Sequence, residues 1–180
     1  SFQLMRFKNL KLSTRVEVRY DGVDAKYDTA GSDRLQVVTF NNVIWKINSF
    51  LSFLGRVNYA QTWNFGLNNG EGGLEGELLQ GTVGLAFRPE RFDWFNMLAK
   101  YTVRIEQRPI SLQGGETQRA MTEVFSITPI FELPFRLQIL EQLAIKYREE
   151  QVPGMQTASS AVMLWINRLN FHLFKKIDLG

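Results

Sequence analysis

The sequence predicts an all-β chain, an antiparallel up-and-down meander of eight long strands followed by the start of a ninth. Three observations predict it. Clusters of Gly, Pro, Asn, Asp and Ser recur about every 20 residues, the punctuation of strand–turn repetition. The segments between them alternate apolar and polar side chains with period two. The longest clean apolar run, Ala161 to Ile166, is far short of the roughly 18 residues of a membrane helix.

Strands are expected near 9–21, 34–47, 51–65, 77–88, 95–108, 118–132, 136–151 and 159–173, with a ninth from Ile177. In the first, Leu10, Leu12, Thr14, Val16, Val18 and Tyr20 face one way and Lys11, Ser13, Arg15, Glu17, Arg19 and Asp21 the other. In the third, Gly55, Val57 and Tyr59 oppose Arg56, Asn58 and Ala60. Leu79, Gly81, Val83, Leu85 and Phe87 oppose Gln80, Thr82, Gly84, Ala86 and Arg88 in the fourth. The fifth sets Met97, Ala99, Tyr101, Val103 and Ile105 against Leu98, Lys100, Thr102, Arg104 and Glu106. In the eighth, Met163, Trp165, Leu169, Phe171 and Leu173 share a face broken only by Asn167, opposite Arg168, Asn170 and His172. Such strands run roughly 40–50 Å at about 3.3 Å per residue, well beyond globular sheets. Of the connections, those at Asp21–Asp33, Asn68–Gly76, Gln113–Glu116 and Pro153–Ser160 are expected to be longer than those at the other end.

Composition narrows the classes of function. The 180 residues suit one domain, 1–180. Twenty-one Lys+Arg against 18 Asp+Glu leave +3, too balanced for a nucleic-acid footprint. The absence of cysteine excludes a disulfide framework, a Cys-based zinc site and a thiol nucleophile.

Period two does not by itself say which face is wet. A soluble ligand-binding barrel turns its apolar face inward, whereas a membrane barrel turns it to lipid and encloses the charges. Aromatic placement favours the second arrangement. Beside the short turns lie Trp45, Phe50, Phe53, Phe87, Phe92, Trp94, Phe95, Phe131, Phe135, Phe171 and Phe174, and near the opposite ends Tyr20, Trp63, Phe65 and Tyr147. Two aromatic bands flanking an aliphatic belt are the girdles of a membrane barrel. The inward parity then carries Arg15, Glu17, Arg19, Arg56, Arg88, Lys100, Arg104, Glu106, Lys146, Arg148 and Arg168 as lumen-lining residues. Buried unpaired charge is prohibitive, so these must be ion-paired or hydrated. Glu123 and Glu141 fall on the outward parity, which a bulge at Pro129 or a covering partner protein would accommodate.

The stretch Val83-Gly84-Leu85-Ala86-Phe87-Arg88-Pro89, then Asp93 and Asn96-Met97-Leu98-Ala99-Lys100-Tyr101-Thr102, resembles the strand–turn–strand signature of a bacterial outer-membrane β-barrel family. That signature is Gly-x-Ala-Tyr-Arg-Pro, an Asp-containing turn and Leu-x-Lys-Tyr. Leu54–Tyr59, Asn167–Leu173 and Lys176–Gly180 are similar to its neighbouring strands, while Phe87 in place of Tyr and Pro129 within a strand depart from it. The resemblance implies a Gram-negative outer-membrane location, membrane lipid as partner, and further domains or subunits of an envelope complex. Closed bacterial barrels have even strand numbers, so the chain is expected to be a slice of a larger barrel, cut at one or both ends.

Little in the sequence suggests catalysis, cofactor binding or a metal site. His172 is the only histidine, at the short-turn end, and forms no Ser–His–Asp set. The Gly-rich stretch Asn68–Gly76 lacks the Lys and helix of a phosphate loop. Asp21, Asp24, Asp28 and Asp33 miss the EF-hand spacing. The expected role is non-enzymatic: membrane anchor or scaffold of a larger surface or envelope-spanning protein, with a passive channel for small, mildly anionic solutes or a soluble ligand-binding barrel as alternatives.

Overall fold

A computed structural model describes residues 2–6, 8–23, 32–65, 73–92, 94–111, 114–134, 137–174 and 177–179. Of these, 2–6, 23, 32, 111, 114–115, 172–174 and 177–179 are described by backbone only. The strands are β1 (Phe2–Arg6), β2 (Leu10–Val23), β3 (Ser32–Lys46), β4 (Leu51–Asn64), β5 (Gly73–Phe87), β6 (Phe95–Ser111), β7 (Gly114–Leu133), β8 (Leu137–Gln151), β9 (Ala158–Phe174) and β10 (Ile177–Leu179). They form a single sheet in chain order, every pairing antiparallel.

β2 to β9 are the eight expected strands and β10 is the start of the ninth; β1 is an additional short strand beside β2. Among the described residues β1 and β10 pair only with β2 and β9, so the sheet is open. Its layer has almost no interior. Ala120 is the one described apolar side chain that is buried, while Val18 and Trp165 are each 65% exposed. Soluble domains enclose a core between packed layers or inside a closed barrel; the described residues form one open sheet.

Three details differ from the sequence expectation. β5 begins at Gly73 because its ladder with β4 steps over an irregularity between Thr62 and Trp63 and continues into the Gly-rich stretch. β6 and β7 stay paired past an irregularity at Pro109 as far as Ser111↔Gly114. The connection expected to be long at Gln113–Glu116 therefore shrinks to 112–113, and the strands themselves project instead. The connection at 88–94, expected to be tight, is longer than that at 152–157, so loop length distinguishes the two ends only weakly.

No bulge forms at Pro129. Ile127 faces Leu143 and Ile130 faces Leu140, the same offset on both sides of the proline. Thr128 and Pro129, the latter lacking an N–H, drop out of the β7–β8 ladder without inserting an extra residue, while Pro129 stays opposite Met97 on β6. The expected register shift is absent, and Glu123 and Glu141 keep the parity of the apolar face.

Candidate functional site: an apolar face and an ionic face

Register fixes which side chains share a face. One row of the apolar face runs Leu10, Trp45, Phe53, Leu85, Ala99, Ile127, Leu143, Trp165. The aromatics do not follow that row. From Trp45 and Phe53 the band passes to Phe87, then Phe95 and Phe131, then Phe171, which lies six residues beyond Trp165 toward the short turns. Six strand-to-strand steps separate β3 from β9, so the band descends about one residue per strand. A rise of about 3.3 Å per residue over a spacing of about 4.8 Å gives an inclination of roughly 35°.

The rings form a connected chain: Phe50–Phe87 at 5.9 Å, Phe87–Phe95 at 6.2 Å, Phe95–Phe131 at 5.3 Å and Trp94–Phe131 stacked at 6.4 Å. Phe92 joins through Trp94 at 6.3 Å. The upper band drops by the same amount from end to end, though not evenly. Tyr20 and Trp63 are level, whereas Tyr147, six strands from Tyr20, lies in the row of Thr14, six residues lower. Trp63 stands ten residues above Phe53 on β4, about 33 Å along the strand and roughly 27 Å measured across the inclined belt.

Inclination also accounts for most carboxylates of this face. Glu123 pairs directly with Tyr147 and so sits in the upper aromatic band. Glu77 accepts from Tyr59 at 3.3 Å and Gln61 at 2.5 Å. Glu149 accepts from Tyr147 at 3.2 Å and Gln151 at 2.9 Å. Glu141 alone stands within the belt, opposite Asn167.

The opposite face carries the expected ionic set. Arg15, Asn58, Arg104, Thr122 and Arg148 share one row; Glu17, Glu106 and Glu150 share the next of that face. Arg56 and Lys146 lie on a lower row, Lys11 and Lys100 on one lower still, and Arg168 lower again, opposite Leu140. Arg88 follows β5, its N–H donating to Phe50 O at 2.7 Å. The ion pairs run along strands: Arg15 and Arg19 both hold Glu17, the latter at 2.8 Å; Arg104 and Arg108 hold Glu106; Arg148 holds Glu150 at 3.2 Å. Arg34–Glu75 at 2.6 Å bridges β3 and β5.

Arg108, Glu150, Arg34, Glu75 and Lys11 belong to this face and were absent from the set read from sequence. A repeated signal points to two of them: Arg15-Val-Glu17-Val-Arg19, Arg104-Ile-Glu106-Gln-Arg108 and Arg148-Glu-Glu150. Phe135 lies outside the described residues, as do Asp24, Asp28 and 68–72, and the side chains of His172 and Phe174 are not described. Among the described residues no three His, Cys, Asp or Glu side chains converge on a metal position. Compared with protein-family models, curated proteins and solved structures, the chain has no match.

Proposed function

We propose that this chain is the membrane-spanning wall of a Gram-negative outer-membrane β-barrel and serves as anchor or scaffold for a larger envelope protein. The observation that carries the reading is the inclination of both aromatic bands. A flat bilayer cutting strands tilted by about 35–45° imposes such a descent from strand to strand. A belt roughly 27 Å high is close to the ~25 Å apolar band of such barrels. The exposure of Val16, Val18 and Trp165, large apolar side chains on that face, supports lipid as its medium.

Single-tryptophan variants test it. After refolding into vesicles with brominated acyl chains, Trp165, near the middle of its belt, is expected to be quenched best by mid-chain bromine. Trp63 and Trp45, at the two bands, are expected to respond to bromine near the headgroups. Equal quenching of all three by an aqueous quencher overturns the reading. Steady single-channel current in planar bilayers would replace the anchor role with that of a passive channel; silence supports the anchor.

A further inference from the structure

Charge is layered on the ionic face. Its carboxylates lie in and above the row of Glu17, Glu106 and Glu150, and the next described one below is Glu132, at the short-turn end. Between these levels the face holds cations only. Arg15, Arg104 and Arg148 are already ion-paired with the glutamate row. Lys11, Arg56, Lys100 and Lys146 are not. Arg56 donates Nε to Asn42 Oδ1 at 2.8 Å, which leaves both terminal nitrogens unused; the three lysines have no partner among the described residues and are exposed.

One of the four comes from each of β2, β4, β6 and β8, so neighbours stand about 10 Å apart across the sheet. Most of the Arg56 row is polar, with Ser13, Asn42 and the Thr82–Thr102 hydroxyl pair at 3.2 Å; Val124 stands between Thr102 and Lys146. Lys100 sits at the midpoint of the belt of its own strand, Phe95–Ile105, and Arg56 two residues from that of Phe53–Trp63.

We infer that Lys11, Arg56, Lys100 and Lys146 form a strip that binds a linear oligoanion through several of its charges at once. The inference rests on the membrane reading for its setting. Ionisable groups at mid-depth mark solute paths unless they are paired within the protein, and rings of Arg and Lys select anions. The strip runs across seven strands, roughly 30 Å from Lys11 to Lys146, a length matched by a chain of charges rather than by a single one.

The test is calorimetric titration of the full chain, folded in a neutral detergent, with medium-chain inorganic polyphosphate and with orthophosphate. Polyphosphate is expected to bind saturably and orthophosphate not measurably. Arg56→Gln, Lys100→Gln and Lys146→Gln are each expected to weaken polyphosphate roughly tenfold, whereas Arg19→Gln, on the ion-paired ladder above the strip, changes it less than twofold. No polyphosphate binding, equal binding of orthophosphate, or an equal loss in Arg19→Gln overturns the strip. Far-ultraviolet circular dichroism of each variant separates lost binding from lost folding. The brominated-lipid measurement is independent: quenching without polyphosphate binding sinks the strip alone, and binding without quenching sinks the membrane setting alone.

Discussion

Glu141 is the residue the apolar face tolerates least. It stands in the belt opposite Asn167, with Ile139 and Leu143 along its own face, and nothing in the structure explains it. Lipid-facing carboxylates cost less than lipid-facing cations, but they still cost. Glu141→Leu is therefore expected to stabilise the lipid-refolded chain by about 1–2 kcal/mol, read as a rise in the urea midpoint. The reverse change at Val103, on the same face, is expected to be costly. Val103→Arg should lose about 2–4 kcal/mol in vesicles, and an unchanged unfolding midpoint would place that side chain in water. Glu123 shows how far single positions are legible. Its parity follows from sequence alone, but its level beside Tyr147 emerges only when β7 is registered on β8.

At the scale of elements, alternation located eight strands to within a few residues, because a one-sided environment imposes period two along each of them. The ends were less legible where the ladder tolerates an irregularity. Gly73 and Gly114 read as loop by composition, yet backbone pairing carries them into β5 and β7. The turns themselves obey local chemistry. Asn48 Oδ1 accepts from the N–H groups of Phe50 at 3.1 Å and Leu51 at 2.7 Å, pinning the β3–β4 connection. Between β8 and β9, Met155 N donates to Val152 O at 3.1 Å around Pro153 and Gly154, whose φ is +76°. Proline followed by a left-handed residue is a type II turn. Space is not the constraint at Gly154, since nothing lies within 4 Å of an added Cβ. Gly154→Ala is expected to cost about 1–2 kcal/mol from backbone conformation alone. Equilibrium unfolding checks this, and a second substitution Gly154→Asn should recover part of the loss.

For the molecule as a whole, the inclination of the bands had no counterpart in the sequence reading. It exists only as a relation among seven registered strands, although every aromatic that draws it was visible one at a time. The same holds for the strip of Lys11, Arg56, Lys100 and Lys146, whose members look unremarkable until four strands are aligned. If the wall closes in lipid, the folded chain should migrate differently from the boiled chain on a detergent gel. Identical migration before and after heating would count against any closed assembly.

Each long strand pairs only with those before and after it in the chain, and the cations of the strip recur at 11, 56, 100 and 146. The spacing of 44 to 46 positions is one down-and-up pass of the backbone. A sheet whose strands pair only with their chain neighbours can be widened or narrowed by copying or deleting a whole pass, with every remaining neighbour relation preserved. Girth would then be a matter of copy number, open to change by duplication within a gene.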